Sequence, residues 1–320
     1  MTQLRTLGNS DLEVSPIGLG VTQFASDSSA LKAVLSAIPE QERVEIVKTA
    51  LEGGINWFDI SEFFGAGRSE RYLAEALKGS GDINQQVIIA TKWSSHFRFA
   101  GNLKKTFQEH LDKLDPYPVG LYQVQNRNSF SSLKAEMNAV ADLMDDGKIR
   151  AVGVSNFNPD QMRQAQTALE KRGFGLASNQ VQYNLLNRQI ECSGVLETAR
   201  DLGISLIAWA PLASGILTGK FHKKPEILAR IPSVRRKSME KQVEKSRSVI
   251  KVLDAIAANY NSEPARVALA WLIGQGKDIV AVPGASRVGH VLEGIGAMDL
   301  QLIEEDIIRL DQASSNFREG

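Results

Sequence analysis

The stretches VGLYQVQ (residues 119–125), RAVGV (residues 150–154) and SNQVQ (residues 178–182), each separated from the next by a longer segment, decide the fold. Each short run is rich in β-branched and aliphatic residues, which is typical of a buried strand. The segments between them, Ser132–Met144 and Pro159–Lys171, carry apolar residues at helical spacing. Strands that alternate with helices in this way predict a parallel sheet with crossover helices.

The same alternation extends along the chain in both directions. The other predicted strands are Val14–Gly20, Ile55–Asp59, Gln86–Lys92, Ser205–Trp209 and Ile279–Pro283. Further helices are predicted at Gln41–Glu52, Ser69–Leu77, Leu103–Leu114, Gly194–Leu202 and Pro264–Ile273. Eight strands interleaved with helices in 320 residues favour an α/β fold of the closed (β/α)8 TIM-barrel type over an open doubly wound sheet.

Two features surround this predicted barrel. Residues 1–14 contain two short apolar runs around Gly8-Asn9-Ser10, which predicts a β-hairpin that caps the bottom of the barrel. Residues 22–40 and 211–242 are longer than most connections and follow the first and seventh strands, so we expect long loops at the active-site face. No biased linker divides the chain, and residues 1–320 are predicted to form a single domain.

Composition excludes several classes of function. Lys and Arg together number 37, as do Asp and Glu, so the net charge predicts neither a nucleic-acid nor a membrane partner. No run of 18 apolar residues predicts a membrane-spanning helix, and the first residues lack the features of a signal peptide. The single cysteine, Cys192, excludes an internal disulfide, and we therefore expect a cytoplasmic protein.

Polar side chains recur where the predicted strands end. They are Asp59, Lys92, Gln125, Ser155, Asn156, Gln180, Ser286 and Arg287. Trp209 occupies the equivalent position on the seventh strand. Any one of these residues, taken alone, is explained by a strand end that is exposed to water. The whole set on one rim of the barrel favours a functional site.

The motifs around these residues resemble those of the aldo-keto reductases. The similar segments are 54–59, 90–92, 121–123, 153–157, 179–184, 209–220 and 283–287. Their order and spacing span nearly the whole chain. The segment from Trp209 to Lys220 is most similar to the branch that includes bacterial reductases and the potassium-channel β subunits.

This resemblance implies that NADP(H) lies extended across the barrel mouth, without a Rossmann fold. Ser155, Asn156 and Gln180 would hold the nicotinamide carboxamide, and Trp209 would lie against the nicotinamide ring. Gly20, at the end of the first strand, belongs to the same cofactor set. No metal is implied.

The resemblance also implies where the phosphates bind. The backbone of the segment after the seventh strand would line the pyrophosphate, with the residues Leu212, Gly215, Leu217 and Lys220. Ser286 and Arg287 would take the 2′-phosphate, since a guanidinium matches phosphate geometry. Glu293 matches a family acid near the adenine. The basic residues Lys220, Lys223, Lys224, Arg230, Arg235, Arg236 and Lys237 are either a solvated lid or a clamp on the cofactor.

The catalytic set departs from the family pattern of Asp, Tyr, Lys and His. Asp59 and Lys92 match the first and third roles, but Phe64 stands where the tyrosine is expected and Gln125 where the histidine is expected. Phe64 carries no proton, and a Gln amide donates hydrogen bonds without protonating a carbonyl. Losing a general acid typically costs on the order of 10²- to 10⁴-fold in rate, so we expect ordinary aldehyde reduction to be slow or absent.

Three functions remain open at this point. The first is an NADP(H)-dependent oxidoreductase acting on a small carbonyl or alcohol, in which Lys92 and Gln125 stabilise the oxygen. The second is a non-catalytic NADP(H) sensor that reports to a protein partner, with Asp59 and Lys92 as a structural ion pair. The third is a lyase or dehydratase that uses bound NADP transiently. The aromatic residues Phe63, Phe64, Trp93 and Phe97 predict an apolar substrate side.

Overall fold

A short hairpin begins the chain in the computed structural model, which describes residues 3–26, 37–62, 67–81, 87–126, 128–229, 231 and 233–319. Strands β1 (Arg5–Thr6) and β2 (Glu13–Val14) pair antiparallel. Asn9 donates to carbonyl oxygens of Leu176 and Leu202, which lie where two barrel strands begin. The hairpin therefore covers the N-terminal end of the barrel, as predicted.

Eight parallel strands form the barrel wall in chain order. They are β3 (Leu19–Gly20), β4 (Trp57–Asp59), β5 (Ile88–Ser94), β6 (Val119–Gln125), β7 (Ala151–Ser155), β8 (Leu176–Gln182), β9 (Ser205–Trp209) and β10 (Ile279–Val282). Isolated parallel bridges join Ile17 to Ala281 and Gly20 to Gly284, so the last strand returns to the first. The predicted (β/α)8 barrel is confirmed.

The first barrel strand is shorter than predicted. The continuous strand expected over Val14–Gly20 is wrong, because the chain leaves β2 at Val14 and begins β3 only at Leu19. Pro16 between them has no N–H to donate to a ladder. Ser15 instead binds Asn56 through its N–H (2.9 Å) and the Ile17 carbonyl through its hydroxyl (2.6 Å). The chain turns here from the hairpin into the wall.

Helices surround the wall. Those between the strands are α1 (Glu40–Glu52), α2 (Arg68–Gly79), α3 (Leu103–Leu114), α4 (Leu133–Asp145), α5 (Pro159–Glu170) and α6 (Val195–Asp201). The start of α5 shows why they begin where they do. Asn158 accepts from the Gln161 N–H at 2.9 Å while the Gln161 side chain returns to the Asn158 N–H, and Pro159 occupies the first turn.

The segment after β9 is largely helical, so the long loop predicted at 211–242 is wrong. A 3₁₀ segment (Ala213–Thr218) leads into α7 (Lys220–Lys223), α8 (Glu226–Ala229) and α9 (Ser233–Lys245). Ile216, Phe221 and Val243 bury one another there, which gives the segment a small core of its own. The remaining helices are α10 (Arg247–Asn259), α11 (Pro264–Ile273), α12 (Val288–Asp299) and α13 (Glu304–Ala313).

The other long segment, residues 22–40, is described only in part. Thr22–Ala25 form a 3₁₀ helix directly after β3, and α1 begins at Glu40. Residues 27–36 lie outside the described residues, and with them most of the predicted loop.

The interior of the barrel is filled from below by the hairpin. Leu7, Leu12 and Val14 join Trp57 and the inward side chains of the wall in one apolar cluster, and Leu12 is fully buried. The apolar side chains thus fill the N-terminal end of the barrel interior. Polar side chains, among them Asp59, Lys92 and Gln180, lie at the C-terminal end. Within the described residues, the helices are too short or too polar to cross a membrane.

Replacement of Leu12 by alanine should lower the free energy of unfolding by about 2–5 kcal/mol, because it removes buried methyl groups and leaves a cavity. Leu4 lies on the same hairpin but is 43% exposed, so Leu4→Ala should change stability by less than about 0.5 kcal/mol. Urea unfolding followed by circular dichroism measures both. Equal effects of the two substitutions would contradict a hairpin that fills the barrel.

Candidate active site

A buried ion pair lies at the C-terminal end of the barrel. The Lys92 ammonium contacts both carboxylate oxygens of Asp59, at 2.6 and 2.7 Å, and the Ile60 carbonyl at 3.0 Å. Lys92 is 3% exposed and Asp59 7%. An ammonium group has three N–H donors, so these three acceptors satisfy it in place of water. The two residues predicted to carry the chemistry are therefore brought together.

Amide groups from other strands complete the environment of Asp59. Gln180 on β8 donates to Asp59 Oδ1 at 3.0 Å, and Gln123 on β6 donates to the same oxygen at 3.4 Å. Strands β4, β6 and β8 alternate around the barrel, and side chains from alternate strands form one layer in this fold. Sequence analysis missed Gln123, although the period of two along β6 places it on the same face as Leu121 and Gln125.

Gln125 lies at the end of β6 and is half-buried. Its Oε1 accepts a hydrogen bond from the Ser61 hydroxyl at 3.3 Å, which orients the amide at the barrel mouth. Phe64 falls within residues 63–66, outside the described residues, and the same is true of Phe63. The substitution at the tyrosine position is thus a fact of the sequence alone.

A chain of side-chain hydrogen bonds extends across the mouth from β6 to β9. Asn156 has a left-handed backbone (φ 59°) that projects its side chain beyond β7, where Nδ2 donates to Asn126 Oδ1 at 2.9 Å. Its Oδ1 accepts from the Trp209 indole at 3.1 Å. Ser155, just before it, is buried. These contacts fix the Trp209 ring at the mouth, and Asn126 joins the site although sequence analysis did not name it.

The segment after Trp209 has an irregular backbone. Ala213, Ser214 and Gly215 have φ values of 48°, 55° and 87°, so three consecutive residues adopt the left-handed region. Such backbone is costly for non-glycine residues and clusters at ligand sites. Leu212 and Gly215 lie on this turn, whereas Leu217 buries its side chain and donates its N–H to the Leu212 carbonyl at 3.3 Å.

Positive groups gather where α12 begins. Arg287 Nε lies 3.0 Å from His290 Nε2, and the Ser286 backbone nitrogen lies 3.3 Å from His290 Nδ1. A neutral imidazole accepts a hydrogen bond at only one of these two nitrogens. Burial, and then the charges of Arg287 and Lys220, lower the pKa of His290. Burial and the charge of Arg287 likewise lower the pKa of Lys220. Sequence analysis missed His290, which lies four residues after Ser286 in the first turn of α12.

The remaining predicted cofactor residues are partly engaged by the protein itself. Glu293 lies 3.3 Å from Arg266, and Lys223 binds Asp254 at 2.9 Å. Arg236 donates to backbone carbonyls within its own segment. Arg230 and the side chain of Arg235 are outside the described residues. Lys223 and Arg236 therefore bind groups of the protein itself. Lys220 is close enough to Arg287 for the two charges to interact.

Two aromatic residues, Trp93 and Tyr183, lie away from the barrel mouth. Trp93 is fully buried in the core outside the barrel wall, because it alternates with the inward-facing Lys92, so its expected place in the substrate pocket is wrong. Tyr183 donates to Glu191 at 2.8 Å and is also buried in the outer core, so it is not a substitute proton donor.

An unpartnered polar group and two glycines lie where the first and last barrel strands meet. Gln23, in the 3₁₀ helix after β3, has a buried amide oxygen without a hydrogen-bond partner among the described residues. A Cβ at Gly284 would lie 2.0 Å from Gln23 Nε2, so a side chain there would require the Gln23 side chain to move. A Cβ at Gly20 would lie 3.3 Å from the Val282 carbonyl oxygen, which is a tight contact. Within the described ranges, no three metal-ligating side chains come together.

Comparison with known proteins adds to this geometry. The sequence profile of the Aldo/keto reductase family matches residues 16–315. The chain is 32% identical over 314 residues to an uncharacterized oxidoreductase of Mycobacterium tuberculosis, covering 96% of this chain and 91% of that protein. It is 30% identical over 316 residues to the chloroplastic pyridoxal reductase of Arabidopsis thaliana, covering 95% and 84%. The solved structure of a thermostable aldo-keto reductase with the inhibitor epalrestat superposes with a TM-score of 0.76 at 27% identity, covering 97% and 99%.

Substitutions of Asp59 and Lys92 should have strongly coupled effects on the free energy of unfolding. Asp59→Asn removes the counter-charge of a buried ammonium and should cost about 3–5 kcal/mol in the free energy of unfolding. Lys92→Met in the Asp59→Asn background should restore most of that loss, because no unpaired charge is then left. A double-mutant cycle from urea unfolding measures the coupling. Additive effects of the two substitutions would show that the pair is not buried as described.

Proposed function

The chain belongs to the aldo/keto reductase family, and on this premise we propose that it is an NADP(H)-dependent oxidoreductase acting on a small carbonyl or alcohol. The observation that carries the proposal is the Lys92–Asp59 pair at the C-terminal end of the barrel, where barrel enzymes place their chemistry. A buried ammonium at that position is suited to stabilise an oxygen that gains negative charge.

The polar groups around the mouth support a nicotinamide dinucleotide. Asn156 and Gln180 offer amide donors and acceptors for the carboxamide, and Trp209, which is bound to Asn156, offers a flat apolar face for the nicotinamide ring. When bound, the nucleotide supplies or accepts the hydride. The irregular backbone at 213–215 and Lys220 would hold the pyrophosphate.

The cluster at Ser286, Arg287 and His290 favours NADP(H) over NAD(H). Burial lowers the pKa of the His290 ring, and the positive charges of Arg287 and Lys220 lower it further. Mutual repulsion of this kind is relieved by a dianionic 2′-phosphate, which NAD(H) lacks. The guanidinium also matches a phosphate in geometry.

In this mechanism Asp59 fixes Lys92, while Gln123 and Gln180 fix Asp59. Lys92 and Gln125 would face the substrate oxygen, with the ammonium stabilising the developing charge and the amide orienting the carbonyl. Because all three Lys92 donors already have acceptors, a substrate oxygen must displace one contact, of which the Ile60 carbonyl at 3.0 Å is the longest. The proton for the alcohol would come from Lys92 rather than from a tyrosine.

The substitutions Phe64 and Gln125 also favour a second candidate, a non-catalytic NADP(H) sensor with a protein partner. Both replace proton-transferring residues of the family pattern, while the candidate cofactor residues are retained. A lyase that uses bound nucleotide transiently differs from both, since its product forms without net NADPH consumption. We further propose a reducing compartment such as the cytoplasm, based on the unpaired Cys192.

Phe64→Tyr should raise the rate of NADPH oxidation with an aromatic aldehyde by about 10²- to 10⁴-fold, because it supplies the hydroxyl donor that the family pattern has at this position. Phe64→Leu is the matched control and should stay at the native rate. Absorbance at 340 nm follows the reaction. A native rate already equal to that of the tyrosine variant would show that proton donation from Lys92 does not limit the rate, so that the added hydroxyl contributes nothing.

NADPH affinity should increase as the pH falls from 8 to 6, more in the native protein than in His290→Gln. In the free protein the pKa of His290 is lowered, which favours the neutral ring. A bound 2′-phosphate favours the protonated ring, so binding takes up a proton and gains from low pH.

The ratio of the two dissociation constants, variant over native, should therefore rise several-fold toward pH 6, by about tenfold for each unit of pKa change on binding. The phosphate's own titration cancels in this ratio, and NADH serves as the ligand without the 2′-phosphate. Fluorescence titration measures both constants. An identical pH dependence in the two proteins would remove His290 from the phosphate site.

A further inference from the structure

Three phenylalanines are exposed together beside the candidate active site. Phe97, Phe99 and Phe130 are 66%, 63% and 61% exposed. The ring centroid of Phe130 lies 5.8 Å from that of Phe97 and 5.3 Å from that of Phe99. We call these three side chains the aromatic rim. Contiguous exposed apolar side chains mark binding surfaces, whereas single ones need no explanation.

The backbone holds the aromatic rim in place. Phe97 has φ 53°, a left-handed conformation that is rare for a bulky residue and that persists only where the surroundings enforce it. The Phe97 N–H donates to the Asn128 carbonyl at 3.0 Å, and the Phe130 N–H donates to the Arg98 carbonyl at 2.9 Å. The two loops therefore hydrogen-bond to each other and present their rings outward. Such preorganisation lowers the entropic cost of binding a ligand.

Both loops follow strands that carry residues of the site, β5 with Lys92 and β6 with Gln125. Phe97 follows Lys92 by five residues along the chain, and Phe130 follows Gln125 by five. Loops that follow strands lie at the C-terminal face of the barrel. A five-residue segment spans at most about 17 Å, so the rings stay within reach of a small molecule whose carbonyl is at Lys92.

An ion pair connects the aromatic rim to the segment that follows β4. Arg98, between two of the rim residues, contacts Glu62 Oε1 at 2.8 Å, and the same oxygen accepts from the Ser94 N–H at 2.5 Å. Glu62 lies only three residues after Asp59. The position of the rim is thus coupled to the strand ends that carry Asp59 and Lys92.

We propose, resting on the function proposed above, that the aromatic rim binds the ring system of the substrate, which is an aromatic carbonyl or alcohol with an extended apolar group. Its carbonyl carbon lies near Lys92, and its distal ring packs against Phe97 and Phe130. Aromatic rings at such separations gain favourable offset or edge-to-face contacts in addition to burial. Three side chains are far fewer than the roughly 20–30 residues on each side of a standard protein interface, which favours a small molecule as the occupant.

The test compares 2-naphthalenemethanol with 1-propanol as ligands, without nucleotide, by saturation-transfer NMR and isothermal titration. The variant is Phe97→Asn with Phe130→Ser. Asn is chosen because it tolerates the left-handed backbone that Phe97 adopts, so the loop keeps its conformation. We expect naphthalenemethanol affinity to fall about tenfold or more, with propanol binding unchanged.

Two controls separate the rings from general effects. Phe97→Tyr with Phe130→Tyr keeps both rings and should retain the native naphthalenemethanol affinity. Ile303→Ser removes a side chain that is 59% exposed on the outer helical layer and should leave the affinity unchanged. Unchanged affinity in the ring-removing variant would overturn the proposal, as would a loss in which Ile303→Ser shares equally.

Two further outcomes are decisive. Dissociation of a dimer in the ring-removing variant, seen by sedimentation velocity with naphthalenemethanol affinity unaffected, would assign the rim to contacts between copies of the chain and overturn the proposal. Ligand binding that depends on the rings without any NADPH oxidation would support the rim and count against the proposed reaction. Because binding is measured without turnover, the two claims fail separately.

Discussion

The contact between the Lys92 ammonium and Asp59 is the interaction on which the rest of the site depends. A lysine that is 3% exposed keeps its charge only if protein groups replace its water, and here two carboxylate oxygens and one carbonyl do so. Asp59 in turn receives an amide from Gln180, on β8 across the barrel from β4. The barrel must therefore be closed for Gln180 to reach Asp59 and hold the ion pair at the barrel mouth.

The charges at the mouth are distributed in a way that suits an extended dinucleotide. The Lys92 charge is neutralised by Asp59, which leaves an apolar and amide-lined region around Trp209 and Asn156. Lys220 and Arg287 repel each other instead. Burial, and then the charges of these two residues, lower the pKa of the His290 ring. A ligand with a neutral reactive end and a strongly anionic far end relieves that repulsion, and its neutral end would lie beside the ion pair.

Much of this arrangement could be predicted from strand ends. Asp59, Lys92 and Gln180 follow from the rule that parallel strands in a barrel finish on one face, and they do meet there.

Three features could not be predicted from the sequence, each for a physical reason. Gln123 was not predicted because it lies inside β6 and not at its end. The period of two along the strand nevertheless places its side chain on the same face as that of Gln125. The helices after β9 were missed because a mixed apolar and basic pattern does not reveal that Ile216, Phe221 and Val243 bury one another. The left-handed backbone of Phe97 depends on hydrogen bonds between two loops, which no local pattern contains.

The most direct measurement of the central claim is transfer of deuterium from NADPH labelled at C4 of the nicotinamide, with native protein in excess over an aromatic aldehyde. Excess protein and long incubation allow a slow chemical step to be seen, and mass spectrometry of the alcohol locates the label. The account predicts deuterium on the carbinol carbon from one C4 position only, because Trp209 fixes the face of the ring. Alcohol that lacks deuterium with both singly labelled forms of NADPH, or no alcohol while the nucleotide is bound, would contradict it.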